Sequence, residues 1–149
     1  MSIKDICKRD LVTVGRDDTI FKAAELMRQN HVGDVLVSEK KDDVNLPTGI
    51  ITDRDIVIEV VAPGLDPRVI TVGDIMVPRL STIEEDAGIF DAIKLMTSKG
   101  IRRLPVIDKF GGLAGIVTLD DLLLMMAKES FSIAMLLSNE QKNESLKRR

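Results

Sequence analysis

The sequence predicts an α/β protein of the α+β type: two β-α-β-β-α repeats packed face to face about a pseudo-twofold axis. Three observations predict it. First, Gly49-Ile50-Ile51-Thr52-Asp53-Arg54-Asp55-Ile56 returns as Gly115-Ile116-Val117-Thr118-Leu119-Asp120-Asp121-Leu122. Both copies read as a buried strand that ends in Thr and turns directly into a helix. Second, the chain matches itself at an offset of 69: Asp5-Ile6 on Asp74-Ile75, Leu11 on Leu80, Thr13 on Thr82, Ile20-Phe21 on Ile89-Phe90, Ala23 on Ala92, Val37 on Val106. Matched apolar and polar positions over a half-chain mark an internal repeat. Third, a unit of about 60 residues buries too little surface to stand alone, so two copies are expected to share one module.

Each repeat opens with a short strand, Leu11 to Val14 and Leu80 to Ile83, followed by an Asp-rich turn. Asp17 or Asp18, and Asp86, are the expected N-caps of the helix that follows. In that helix Ile20, Ala23, Ala24 and Met27, matched by Ile89, Ala92, Ile93 and Met96, recur at helical spacing. Next come strands at Asp34 to Ser38 and Arg103 to Ile107, then at Thr48 to Thr52 and Leu113 to Thr118; Gly111-Gly112 suits a hairpin between the later pair. By the second copy of the Gly-x-x-Thr phrase the offset has dropped to 66, so the first repeat has three more residues in the polar connection Glu39 to Pro47. Loops accept such insertions. The second helix of the first half stops at Ala62-Pro63-Gly64. The expected divisions are repeat 1 at 3–64, a linker at 65–71, repeat 2 at 72–130, and a helix extension with a polar tail at 131–149.

Composition excludes several functions. The 149 residues carry a net charge of −3, and only four aromatics are present, all Phe. Neither a global positive field nor stacking platforms for single-stranded nucleic acid are available. A nucleic-acid role would rest on Arg102, Arg103 and the Lys147-Arg148-Arg149 end, which the acidic balance opposes. Cys7 and His31 are each the only residue of their type, which removes internal disulfides, cysteine zinc clusters and most His-based metal sites. No nucleophile, base and orienting group assemble from the motifs, so no enzyme is expected, nor a metal. The start Met-Ser-Ile-Lys-Asp-Ile does not read as a signal peptide, and the apolar run Leu122 to Leu137 is broken by Lys128 and Glu129. A cytoplasmic protein is expected.

The doubled Gly-x-x-Thr-x-x-Asp phrase, the Asp74-Ile75-Met76 run and Arg102-Arg103-Leu104-Pro105-Val106-Ile107-Asp108 resemble a tandem pair of CBS domains over residues 3 to 130. The resemblance implies a regulatory module that binds AMP, ADP, ATP, an NAD derivative or S-adenosylmethionine in the cleft between its repeats, and that dimerises. No cofactor is required; the nucleotide acts as a regulatory ligand. It assigns Asp55 and Asp121 to ribose, with Thr52 and Thr118 beside them. An acceptor-only carboxylate suits two vicinal hydroxyls. Capping of the following helices by the same residues is the alternative, and both can hold together.

Arg102 and Arg103 sit where the family places phosphate-facing residues; the alternative is a solvated pair. Their counterparts Gly33 and Asp34 lack positive charge, so the two sites are expected to be unequal, with phosphate favoured where Asp55 meets the two arginines. Arg54 serves either a phosphate or a nearby carboxylate. The resemblance places Thr13, Val14, Thr82 and Ile83 at the adenine pockets, Val14 and Ile83 serving equally as core, and Gly33, Asp34, Val35 and Pro105 are expected among the ligand-binding residues. His31 is a helix-end residue or a ligand contact. Met76, Met96, Met125, Met126 and Met135 read as core or dimer interface. The apolar face Phe131, Ile133, Leu136, Leu137 has no counterpart in the first half. It is a packing surface for a second subunit, for a partner protein or for its own module. The expected function is a stand-alone sensor whose ligand repositions the repeats or the dimer interface; the competing reading is a structural interaction protein with empty clefts.

Overall fold

The computed structural model describes residues 1–77 and 80–148. Repeat 1 contains β1 (Thr13–Val14), α1 (Ile20–Asn30), β2 (Asp34–Lys41), β3 (Val44–Thr52) and α2 (Asp53–Ile56), which continues as a π-helical turn, Val57–Val61. Repeat 2 contains α3 (Val72–Ile75), β4 (Ile83–Glu84), α4 (Ile89–Lys99), β5 (Arg103–Ile107), β6 (Leu113–Thr118) and α5 (Leu119–Lys147). Each repeat forms one three-stranded sheet, ordered β1-β2-β3 and β4-β5-β6. The first pair in each is parallel and the second an antiparallel hairpin. This is the α/β duplication that the internal repeat predicts, with β3 and β6 against each other between the two halves.

Helices α1 and α4 bury Ile20, Ala23, Met27 and Ile89, Ala92, Met96, one residue per turn on one face. Both end in a left-handed residue, His31 (φ 53°) and Gly100 (φ 64°). Gly adopts that geometry without strain, whereas His31 pays for its Cβ. The N-caps differ from expectation. Thr19 caps α1 by accepting from Lys22 N, and Gly88 stands at the start of α4. Asp18 instead accepts from Gly15 N at 2.8 Å and tightens the preceding turn, while Asp86 pairs with Lys4 at 2.7 Å. The opening strands are also shorter than expected: only Thr13–Val14 and Ile83–Glu84 pair in register, with Val12 contributing its carbonyl to Leu36 N.

The polar stretch from Glu39 to Pro47 is a strand extension rather than a loop. Strands β2 and β3 run on to Lys41 and from Val44, joined at Asp42 and Asp43, both with positive φ. A two-residue turn with both central residues left-handed matches strand twist. Both hairpins carry a bulge, between Val37/Ser38 and Val106/Ile107, which in the first admits Pro47 to the strand.

The repeats are tied by exchange of their opening turns. The 3₁₀ turn Ile3–Asp5 belongs by sequence to repeat 1, yet Ile3 is buried in the core of repeat 2 beside Leu104, Val106 and Leu122. Its backbone bonds to Ala87 O and Glu85 O. Reciprocally, Val72 of α3 is buried among Val14, Ile20 and Val35 of repeat 1, and bonds to Asp18 O. The connecting segment lies along the start of α1: Phe21 N bonds Pro67 O, and Arg68 covers the Phe21 ring at 4.4 Å.

This exchange explains the glycines of the repeated phrase. A Cβ on Gly115 would lie 2.8 Å from Lys8 O and 2.9 Å from Cys7 Sγ; one on Gly49 would lie 2.9 Å from Met76 Sδ. Each glycine sits under the opening segment that crosses from the other repeat.

Candidate functional site

Two hollows open between the repeats, and the duplication relates them. The smaller, about 150 Å³, is walled by Leu80, Ser81, Ile101, Arg102, Arg103, Pro105, Ile50 and Thr52. Shifting these by the repeat offsets gives Leu11, Val12, Val32, Gly33, Asp34, Leu36, Ile116 and Thr118, all in the wall of the larger, about 820 Å³. The larger cleft falls within the range of small-molecule sites. Thr52, Ile101, Arg102 and Arg103 face both hollows and so form the partition between them.

Gly33, Asp34, Thr52, Arg54, Arg102, Arg103 and Thr118 therefore come together at the large cleft, and Pro105 joins three of them at the small one. The others lie elsewhere. Val14, Val35 and Ile83 are buried in the cores, and neither Thr13 nor Thr82 reaches a wall. Leu11, Val12, Leu80 and Ser81, just upstream, supply the opening-strand wall instead. Sequence reasoning also passed over Lys8, Asp10, Leu36 and Ile116; Leu11 and Leu80 had a signal in their exact repeat match, Lys8 had none. His31 lines the large cleft.

Asp55 and Asp121 line neither hollow, and both close capping boxes. Thr52 N donates to Asp55 Oδ2 at 2.9 Å while Asp55 N donates to Thr52 Oγ1 at 3.1 Å. In repeat 2 the box is fuller: Thr118 N and the Thr118 hydroxyl both donate to Asp121 Oδ2 at 2.9 Å. Each box satisfies helix-end N–H groups that would otherwise be orphaned.

Four cations and four carboxylates line the large cleft: Lys8, Arg54, Arg102 and Arg103 against Asp10, Asp34, Asp53 and Asp120. Arg103 is paired with Asp34, both partly buried. The two are each other's repeat counterparts, so this ion pair crosses the pseudo-twofold axis and links β2 to β5. Arg102 and Asp120 approach at 3.9 Å with both side chains largely exposed, which stabilises little. Lys8 reaches Asp121 at 3.4 Å. The Arg54 guanidinium forms no ion pair among the described residues. Among those residues no cluster of three or more His, Cys, Asp or Glu gathers.

The family model of the CBS domain matches residues 3–62 and again 72–128. The chain is 42% identical over 123 residues to an uncharacterised protein of Methanopyrus kandleri, a match covering 83% of this chain and 61% of that one. It is 36% identical over 135 residues to the CBS domain-containing protein YhcV of Bacillus subtilis, covering 90% and 92%. The crystal structure of Hypoxic Response Protein I with two coordinated zinc ions superposes with a TM-score of 0.71 at 33% identity, over 83% of this chain and 97% of that one.

Proposed function

The chain belongs to the CBS-domain family, with two repeats in tandem, and from that premise we propose that it is a non-catalytic regulatory module binding AMP, ADP or ATP between its repeats. One observation carries the reading: a cleft of about 820 Å³ in which Thr52 and Thr118 face the opening from the two repeats and Arg54, Arg102 and Arg103 supply positive charge. Apolar Leu11, Val12, Leu36 and Ile116 offer walls for a base, and the guanidinium groups offer bidentate contacts to phosphate.

A phosphate competes with Asp34 for Arg103. The Arg103–Asp34 pair joins the two repeats, so its exchange for a phosphate contact changes what holds them together. Thr118 caps α5, and a ligand at Thr118 therefore touches the helix that leaves the body of the protein. Beyond it Phe131 (68% exposed), Ile133, Leu136 and Leu137 present apolar surface. A helix with apolar residues on several faces is a packing element. A second copy of the chain is the proposed occupant, with a separate target read through the same assembly.

A thermal-shift screen of AMP, ADP, ATP, NADH and S-adenosylmethionine tests this, repeated with Arg102→Ala and Arg103→Ala in the cleft wall. A bound ligand at a hundredfold over its Kd adds about 2.7 kcal/mol of stability. A shift with an adenine nucleotide that one variant loses supports the reading. No shift with any compound removes it in favour of an interaction module with unoccupied clefts.

A further inference from the structure

We propose that His31 is a specificity-determining residue of the large cleft, adding to it a positive charge that comes and goes with pH and that favours a phosphorylated ligand. This deepens the nucleotide reading and rests on it. His31 closes α1 in the left-handed region, φ 53° and ψ 44°, its N–H donating to Met27 O. A side chain with a Cβ is strained there, whereas its repeat counterpart Gly100, also left-handed, is not. Both residues line the large cleft.

The helix end does not need the imidazole. Asn30 supplies the side-chain bond to the last turn, its Nδ2 donating to Leu26 O at 2.8 Å. His31 itself is exposed, and its ring takes part in no hydrogen bond or ion pair among the described residues. Gly would serve the backbone with less strain, as position 100 shows. A strained residue that the fold does not call for, standing in the wall of a cleft, points to a role in that cleft.

The charged groups around that cleft are Lys8 and Asp10 ahead of β1, Asp34 on β2, Asp53 and Arg54 on α2, Arg102 and Arg103 at the start of β5, and Asp120 on α5, with Arg28 in the last turn of α1 itself. Carboxylate, ammonium and guanidinium groups hold their charge between about pH 6 and 8, whereas imidazole gains a proton across that range. Apart from His31, four cations stand against four carboxylates in the wall, so one more proton tips it positive. Anion affinity then rises as pH falls, and a ligand without charge feels no change. The increment is about two- to fivefold, the range of an exposed ion pair converted to affinity.

The test is calorimetric titration of the full chain with AMP and with adenosine at about pH 8, 7 and 6. Wild type is compared with His31→Gly, which installs the counterpart residue, and with His31→Asn, which tolerates the left-handed region and carries no charge. The phosphate of AMP itself takes up a proton near pH 6, so the quantity read is the ratio of wild-type to variant affinity at each pH. For AMP that ratio is expected to climb from about one at pH 8 to about two- to fivefold at pH 6, and for adenosine to stay near one. Without ligand, the Tm of His31→Gly should equal or exceed that of wild type; a clear fall would show the ring holding the fold and would overturn the proposal. An AMP ratio that does not change with pH, in chains that bind AMP, or an adenosine ratio that climbs with it, overturns the role of His31 alone. Failure of both ligands to bind any of these chains overturns the nucleotide reading and this proposal together.

Discussion

Replacing Gly115 with Ala tests the exchange of opening turns more sharply than any other single change. The added methyl would sit 2.8 Å from Lys8 O and 2.9 Å from Cys7 Sγ. The first obstacle is backbone, held in place by the Lys8–Ile116 hydrogen-bond pair, so it cannot rotate away as a side-chain tip would. Overpacking of this kind costs about 1–3 kcal/mol. If the opening segment lifts instead, the two hydrogen bonds are lost at about 1 kcal/mol each. Together the two routes give a loss of roughly 1–3 kcal/mol, a fall in Tm of about 2–12 °C for a chain of this size. Gly49→Ala is the internal control, because its methyl meets the thioether of Met76, a flexible side chain. It should cost about 1 kcal/mol or less. Urea unfolding of both variants reads the difference directly. A Gly115→Ala loss below about 0.5 kcal/mol, the scale of a neutral surface change, or a larger loss at Gly49, would refute the crossing of residues 3–8 onto repeat 2.

Two further outcomes are expected. The bond from Gly15 N, ahead of the Lys22 pair, holds the Asp18 carboxyl below its usual value of 3.8; a depressed folded pKa means its stabilisation is present above that value and is lost as pH falls through the folded pKa. Asp18→Asn should therefore flatten the acid limb of the stability curve below about pH 4, and parallel curves for the two proteins would sink the assignment. Deleting residues 131–149 removes no buried residue among those described, since Leu122 is the one buried residue of α5. Tm should change by no more than about 2 °C, while sedimentation velocity should show a smaller species; an unchanged species would exclude α5 as the contact between copies.

Much of this fold was legible because repetition doubles each signal. Strands β5 and β6 fall at Arg103–Ile107 and Leu113–Thr118, where the repeat match and the Gly-Gly turn place them, and the buried faces of α1 and α4 follow directly from spacing. The exchange of Ile3 and Val72 was hidden because an apolar residue in a short turn carries no record of which core it enters. The Glu39–Pro47 stretch reads as a loop on polarity, yet Asp42 and Asp43 accept positive φ and prolong the hairpin. At the cleft, Thr52 and Thr118 were named by the repeated phrase, and Arg102 and Arg103 by the family resemblance of the run Arg102 to Asp108. Lys8 was not, since a lone lysine upstream of a strand belongs to no motif and only the crossing brings it to Asp121. Leu11 and Val12 were displaced by two positions for a related reason: the paired residues Thr13 and Val14 enter the sheet, and the segment before them borders the cleft.

The claim at the centre of the account is that a nucleotide phosphate takes Arg103 from Asp34. Calorimetric titration of AMP into the wild-type chain, Asp34→Asn and Arg103→Met tests it most directly. Freed of its carboxylate, Arg103 should bind phosphate more tightly, so Asp34→Asn is expected to strengthen AMP binding by about three- to tenfold, and Arg103→Met to weaken it by at least as much. An Asp34→Asn variant that binds AMP no better than wild type, or an Arg103→Met variant that binds it equally well, would contradict the account.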